Sequence, residues 1–316
     1  MTIAEIAKQL KKQTKVVIFS HNRPDGDTVG SATALALALE KLGITAHLVC
    51  NFDIPEKLCY LKGANLYAKS VKDSDYSAYI AVDCSNEHVF PELYPVYLSH
   101  KETFNIDHHV SNSRYGKYYF VSESSACAEH IYALIKELKV EIDSDIATSL
   151  LTGIVTDTGA FAHSNVTPKT LEIAGKLVGY GANLHYIIKR NFKSQPKERS
   201  DLYARVISNM RYRLNGKMAI LIISRSDIEQ CGANDAHTEG FIDYTLSVEG
   251  VEVGLSLLEI APYRYKISLR SAGNVNVNEI ASLYGGGGHI LASGAMLNGH
   301  LEDIIDKLCY NVEQRL

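Results

Sequence analysis

Three short apolar runs each break off at an acidic or histidine cluster, and this recurrence limits the folds open to the chain. KVVIFS (15–20) runs into His21-Asn-Arg-Pro-Asp25-Gly-Asp27. AYIAV (78–82) stops at Asp83, and TFNI (103–106) stops at Asp107-His108-His109. Short apolar runs bounded by turn residues read as strands buried on both faces. After the first cluster, TVGSATALALALEKLG (28–43) reads as a helix ended by Gly43, and TAHLVC (45–50) as the next strand. Strand, polar loop, helix, strand is the βαβ order of a parallel sheet. In such sheets ligands bind beyond the carboxyl ends of the strands. The three clusters are therefore expected to converge on one edge of one sheet.

The rest of the chain divides at a change of composition. Residues 2–13, 124–139 and 144–156 read as helices. From about residue 185 the sequence turns polar, and KRNFKSQPKERSDLY (189–203) suits a linker or an exposed helix start. Strands follow at 217–224, 252–260 and 263–270, then a helix at NVNEIASLYG (276–285), the run GGGGH (285–289) and a last helix over 301–315. The expected layout is an N-terminal parallel-sheet α/β domain over 1–188, a linker over 189–207 and a smaller α/β domain over 208–316, with a cleft between the two domains.

Each cluster has a plain structural explanation to set against a chemical one. HNRPDGD would serve as a solvated turn with Asp27 capping the next helix. Asp83 alone would serve as a turn residue, and Asp107-His108-His109 as a surface loop. Asp157 is different, because it lies in the apolar segment LLTGIVTDTGAF and a buried carboxylate must be partnered. A metal would be one such partner. Taken together these groups outnumber the four ligands of a structural zinc site. They suit two octahedral cations that share a bridging carboxylate. Mixed imidazole and carboxylate donors favour Mn, Co, Fe or Zn over pure Mg or Ca sites. Two such ions clamp a phosphoryl group and activate water for in-line attack.

The chain has 316 residues, 46% of them hydrophobic, and a formal net charge of -4. That balance argues against a long basic groove for duplex DNA or a charged membrane-binding face. It leaves room for a small anionic substrate held by a few local groups. GGGGH would let backbone N–H groups approach a phosphate, or else form a flexible loop. Arg270, at the end of a strand, would grip phosphate in bidentate fashion or sit as a solvated strand end. Of the histidines outside these clusters, only His163 is placed near the acidic centre. The six cysteines are scattered without a paired spacing, which fits a reducing compartment. The N-terminus has no apolar stretch of signal-peptide length, and no run approaches the roughly 18 apolar residues of a membrane span. A cytoplasmic protein is expected. The nineteen tyrosines suggest no function.

In this order and spacing the residues resemble the DHH phosphoesterase superfamily. Its first motif is similar to His21…Asp25-x-Asp27, its second to Asp83 in AVDCS, its third to Asp107-His108-His109 and its fourth to Asp157 in GIVTDTG. GGGGHILASGA (285–295) and KISLRS (266–271) resemble the glycine-rich motif and arginine strand of the DHHA1 domain. The two-domain length resembles the NrnA type. RecJ-type nucleases are usually longer, and family II pyrophosphatases lack this glycine loop.

The resemblance implies a metal-dependent hydrolase acting on short oligonucleotides, on 3′-phosphoadenosine 5′-phosphate, or on both. Linear or cyclic dinucleotides are the alternative substrates. A nucleotide-binding module with a decayed centre is the alternative of another class, and the intact ligand set argues against it. The resemblance further implies one metal on His21, Asp25 and Asp83, and a second on Asp27, Asp83, His108 and Asp157. Asp107 would orient a histidine, and His109 would contact the scissile phosphate or protonate the leaving oxygen. Arg270, Ser271, Gly286, Gly287, Gly288 and His289 would bind substrate. The implied cofactors are two divalent ions, Mn²⁺ first, with Co²⁺, Fe²⁺ and Mg²⁺ as alternatives. The implied partners are short single-stranded RNA or DNA oligomers or small nucleotides, with no membrane. A homodimer is left open.

Overall fold

The computed structural model describes residues 1–73 and 75–316 and divides into two compact units, Met1–Ser194 and Gln195–Leu316. The first unit runs α1 (Ile3–Leu10), β1 (Lys15–Phe19), α2 (Gly26–Lys41), β2 (Thr45–Val49), β3 (Ala78–Val82), α3 (Tyr94–Leu98), β4 (Thr103–Asp107) and β5 (Tyr118–Val121). It continues with α4 (Cys127–Leu138), α5 (Ser144–Asp157), α6 (Pro168–Gly179) and α7 (Leu184–Ile188). Its five strands form one parallel sheet in the order β2-β1-β3-β4-β5. The order reverses between β1 and β3, and a parallel sheet opens a crevice where its winding reverses. His21 follows β1 and Asp83 follows β3, so the two flank that point.

Strand alternation sorts the apolar runs onto two faces. Val16, Ile18, Ile80 and Val82 pack against a helical layer that includes Leu35, Ile131 and Leu150. Val17, Phe19, Tyr79 and Ala81 pack against an aromatic layer of Phe90, Tyr97 and Tyr115. Two of those tyrosines donate to backbone carbonyls, Tyr97 to Phe104 at 2.9 Å and Tyr115 to Cys84 at 2.7 Å. Part of the tyrosine excess thus builds the second face of the sheet. Both faces are covered, which is why the strands read as unbroken apolar runs.

Helices α2 and α5 pack closely because glycines line their contact. A Cβ at Gly30 would lie 2.3 Å from the Ser149 carbonyl oxygen. One at Gly153 would lie 2.6 Å from Asp27 Oδ1 and 2.7 Å from the Ala128 Cβ. Larger residues would push α2 and α5 apart and displace Asp27.

The second unit runs α8 (Lys197–Ser208), β6 (Arg211–Arg213), β7 (Met218–Ile223), α9 (Arg225–Gln230), β8 (Val253–Ala261), β9 (Arg264–Ser271), α10 (Val277–Ser282), β10 (Gly287–His289), β11 (Ala292–Asn298) and α11 (Leu301–Glu313). Its six strands order as β10-β11-β9-β8-β7-β6, with β7 and β8 parallel and the other pairs antiparallel. Along β9, Tyr265, Ile267, Leu269 and Ser271 are buried, while Lys266, Ser268 and Arg270 take the opposite face.

Several elements depart from the sequence-based expectation. The stretch 189–207 contains most of α8, whose Leu202 and Val206 are buried with Leu221 and Phe241, so half of the expected linker is packed helix. Its apolar spacing was hidden among charged residues. Strand β5 completes the parallel sheet and was not anticipated, because YYFV has no adjoining motif. Gly287–His289 pairs with β11 as a short hairpin rather than standing free as a loop. Helix α2 begins two residues early, and its N-cap is Asp25, not Asp27. Asp25 Oδ1 accepts the N–H groups of Asp27 and Thr28 at 3.0 and 3.1 Å. Asp27 therefore lies inside the first turn, where its side chain is buried.

Candidate metal centre

The eight acidic and histidine positions marked by the sequence gather at one end of the parallel sheet. Three sets of potential ligand atoms each lie within 4.8 Å of one another: His21, Asp25 and Asp83; Asp27, His108 and Asp157; and Asp83, Asp107, His108 and His109. His21 Nε2 is 3.7 Å from Asp25 Oδ2 and 3.6 Å from Asp83 Oδ2. His108 Nε2 is 3.5 Å from Asp83 Oδ1, 3.5 Å from Asp157 Oδ2 and 3.9 Å from Asp27 Oδ2. These gaps are too long for hydrogen bonds. Two ligands each about 2.1 Å from one ion lie roughly 3.0–4.2 Å apart, so the same gaps suit shared coordination.

Local structure holds each group in place. Asp27 Oδ2 accepts the Cys127 N–H at 2.6 Å and Oδ1 accepts the Ala128 N–H at 3.0 Å, both at the start of α4, and Ser31 Oγ donates to Oδ1 at 3.1 Å. A helix N-terminus favours a carboxylate. His108 Nδ1 donates to the Ser124 carbonyl at 3.0 Å, which leaves Nε2 free to hold a metal. Ser124 Oγ lies 3.2 Å from His130 Nε2, which donates to the Ser122 carbonyl at 2.6 Å. Asp107 is fully buried and pairs with His109 Nδ1 at 2.7 Å, while Asn112 Nδ2 donates to its other oxygen at 2.6 Å. Asn112 also bonds Asn105 Oδ1 at 3.0 Å, so a buried amide chain fixes Asp107 and through it His109.

Asp83 carries two costs. Its φ is 58°, a left-handed conformation disfavoured by side chains. Its Oδ1 is buried without a hydrogen-bond donor. Buried acceptors without partners are rare, and a cation supplies the missing one. The donor set therefore fits a metal on this chain's own chemistry.

The electrostatics lead to the same reading. Burial, followed by the nearby Asp27 charge, pushes the Asp83 carboxyl up to about 7. Burial and the Asp157 charge push Asp27 up as well. Burial would lower the imidazoles, yet the carboxylates around them win: His21 rises to about 10 and His108 to about 9. For Asp107, burial would raise the carboxyl, but the hydrogen bond and charge of His109, the Asn112 hydrogen bond and the His108 charge together hold it low. Crowded carboxylates that retain protons release them to a divalent cation.

A cavity of about 450 Å³ opens onto His21, Asp25, Asp83, His109 and Asp157. Asn22, Arg23, Ser85, His88 and Val89 also line it, and the sequence reading overlooked these five. Each stands within a few residues of a marked acid, and that proximity was the one signal available. His163 lies beside the centre, with Nδ1 3.4 Å from the Asp157 carbonyl.

In the second unit, a cavity of about 650 Å³ is lined by Lys266, Ser268, Arg270, Gly285, Gly286 and Gly287, with β11 residues behind them. Arg270 Nε donates to Asp243 at 3.2 Å. Gly288 and His289 follow on β10, outside this lining. Ser271 does not join it. Strand alternation turns Ser271 inward, where its Oγ accepts the N–H groups of Gly273 and Val275 at 3.1 and 3.2 Å.

Comparison with known proteins agrees with this architecture. The model of the DHH family, N-terminal domain, matches residues 15–154, and that of the DHHA1 domain matches residues 215–314. A Thermus thermophilus protein named bifunctional oligoribonuclease and PAP phosphatase NrnA is 34% identical, over 99% of this chain and 93% of its own. A Streptococcus mutans protein named probable bifunctional oligoribonuclease and PAP phosphatase NrnA is 31% identical over 92% of each chain. The crystal structure of an exopolyphosphatase-related protein from Bacteroides fragilis has the same fold, with a TM-score of 0.87 at 24% identity over 99% of this chain and 95% of that one. The chain belongs to the DHH family, in the group that joins a DHH domain to a DHHA1 domain and includes the proteins named NrnA.

Proposed function

We propose that the protein is a two-metal phosphoesterase that hydrolyses short oligonucleotides and nucleoside 3′,5′-bisphosphates. The observation that carries this reading is Asp83, a strained and buried carboxylate common to two ligand sets, with one oxygen lacking any donor. His21, Asp25 and Asp83 would hold one divalent ion, and Asp27, Asp83, His108 and Asp157 the other. The mixed donors favour Mn²⁺, with Co²⁺, Fe²⁺ or Mg²⁺ as substitutes. Bound there, the ions would supply Lewis acidity at phosphorus and an activated water.

The chain's own residues supply the rest. His109 is anchored through Nδ1 to Asp107, so its Nε2 is free to donate to a phosphate oxygen or to protonate the leaving oxygen. The Asp107 carboxylate stabilises the charged imidazole, raising His109 above its ordinary range. Arg270 would bind nucleotide phosphate, with the backbone of Gly286, Gly287 and Gly288 and the His289 side chain beside it; the Gly286 N–H itself donates to the Ala281 carbonyl at 3.0 Å. The substrates that fit are short single-stranded RNA or DNA pieces and small nucleotides. Six free cysteines suit a reducing cytoplasm, and among the described residues no helix is long and apolar enough to cross a membrane.

The test is a substrate panel with Mn²⁺: 3′-phosphoadenosine 5′-phosphate, linear and cyclic dinucleotides, and oligomers of two to twenty nucleotides. Turnover should be fastest below about five nucleotides and vanish in Asp83→Ala. A 20-mer cut faster than a dinucleotide would sink the length preference. Nucleotide binding with no turnover under any divalent ion would make the protein a binding module.

A further inference from the structure

The cavity at the metal centre does not end at the acidic groups. Its lining also includes Asn22 and Arg23, which follow β1, and Ser85, His88 and Val89, which follow β3. The two loops are fastened together, because the Asn22 N–H donates to the Val89 carbonyl at 2.7 Å. The His88 backbone is held by Asn86, whose Oδ1 accepts the His88 N–H at 2.9 Å, and the exposed imidazole has its Nε2 3.7 Å from the Glu87 carboxylate. The Asn86 amide also donates to Ser85 Oγ at 3.2 Å, leaving the Ser85 hydroxyl hydrogen free to point elsewhere. Ser85 is itself buried. Among the described residues, the Arg23 guanidinium has no ion-pair or hydrogen-bond partner, although Asp25 lies two positions away.

The cavity thus joins carboxylates and imidazoles that suit cations to a free guanidinium, a hydroxyl and a further imidazole. All three donate hydrogen bonds, and a neutral imidazole still donates one. A guanidinium has no acceptor to offer a cation, and with two further donors beside it the set matches phosphate oxygens. A cavity of about 450 Å³ exceeds what a single phosphate needs and is in the range of a nucleotide-sized ligand.

We infer that Arg23, with Ser85 and His88, forms a subsite for a second phosphate group, next to the one cleaved. This rests on the phosphoesterase reading of the centre and adds to it a source of selectivity within the first unit. In an oligonucleotide the second group is the neighbouring internucleotide phosphate. In a nucleoside bisphosphate it is the phosphate across the same ribose. Substrates carrying one phosphate alone leave the subsite empty. Because the subsite stands on short loops beside the metal ligands, it reads the distance between two phosphates rather than base identity.

The experiment compares the wild type with Arg23→Gln, Arg23→Lys and His88→Ala on three substrates: a trinucleotide, 3′-phosphoadenosine 5′-phosphate and bis(p-nitrophenyl) phosphate. Arg23 is exposed, so its replacement should leave the fold intact, as melting curves would verify. Arg23→Gln should lower kcat/KM for the trinucleotide about tenfold more than for the nitrophenyl ester, and Arg23→Lys should recover part of the loss. Loss on the trinucleotide alone would assign the internucleotide phosphate, and loss on the bisphosphate alone the ribose-linked one. Equal losses on all three substrates, or none, would overturn the subsite. Calorimetric binding of a phosphorothioate trinucleotide in Ca²⁺ gives a readout independent of turnover, with about tenfold weaker binding expected for Arg23→Gln. A wild type that hydrolyses nothing would end the catalytic reading while the calorimetry still judged the subsite, and equal affinities there would reject it.

Discussion

Asp83 shows at a single residue how function is set against stability. Its left-handed backbone and unpartnered oxygen each cost on the order of 1–3 kcal/mol, and both are relieved in part by asparagine, which tolerates that φ and carries no charge. In EDTA, Asp83→Asn should therefore melt at or above the wild-type temperature. Mn²⁺ should raise the wild-type Tm by several degrees and leave the variant nearly unmoved. Equal Mn²⁺ shifts in scanning calorimetry would remove Asp83 from the metal. Asn112 acts one step further out, through Asp107. Asn112→Ala should lower kcat about ten- to a hundredfold with little change in KM, measured on a dinucleotide. His130 gives a pH signature. Burial pulls its imidazole down from the ordinary 6.5 to about 4, so the folded state holds it neutral. The unfolded chain takes the proton first, so this contribution to stability is complete above pH 6.5 and is lost as pH falls toward 4, by about 3 kcal/mol at most. Urea titrations at pH 7 and pH 4.5 should show a smaller decline for His130→Gln than for the wild type. Parallel declines would exclude His130 as the titrating group.

At the scale of elements, the centre depends on how closely α2, α4 and α5 approach. Asp27 is held between the N-terminus of α4 and the glycine face of α5, so a methyl group on that face should act on both stability and chemistry. Gly153→Ala places a carbon 2.6 Å from Asp27 Oδ1. It should cost about 1–3 kcal/mol and reduce activity more than the unfolded fraction explains. Gly175 in α6 is the control, since a Cβ there meets nothing within 4 Å. Gly175→Ala should add up to about 1 kcal/mol, from helix propensity and reduced freedom of the unfolded chain. Urea midpoints for the pair check this, and similar destabilisation by both would refute the close-approach argument. The same helices illustrate what was legible. Helices α2 and α5 were legible as long apolar stretches, α2 ended by Gly43, although α2 is buried on nearly every side rather than along one stripe. The early start of α2 was not, because Asp25 and Asp27 are equally good caps in sequence and the difference comes from α4 drawing Asp27 inside.

For the molecule as a whole, a net charge of -4 leaves substrate binding to a few local contacts. Each phosphate neutralised on a single strand contributes a salt slope of about -0.7. With two or three phosphates engaged, log(kcat/KM) for a trinucleotide should fall with log[salt] at a slope of about -1 to -2. A slope near -5 would reveal an extended basic track. Steady-state kinetics between 50 and 300 mM KCl at fixed Mn²⁺ would measure it.

What the sequence determined by itself was local. A strand end, the turn after it and the chemistry of the next few residues are written within about ten positions, so His21, Asp25, Asp27, Asp83, Asp107, His108 and His109 were identifiable from pattern and motif. Asp157 was identifiable because a carboxylate in an apolar helix demands a partner. The tertiary structure alone decided which groups meet. It set His108 against Asp157, forty-nine residues away by their numbers, and brought the amides of Cys127 and Ala128 to Asp27. It turned Ser271 inward while Arg270 stayed in its cavity, a difference set by one step of strand register. It fastened the Arg23 loop to the His88 loop, through the Asn22 N–H and the Val89 carbonyl. The physical reason is that burial and proximity arise from packing between distant segments, and no local periodicity encodes them.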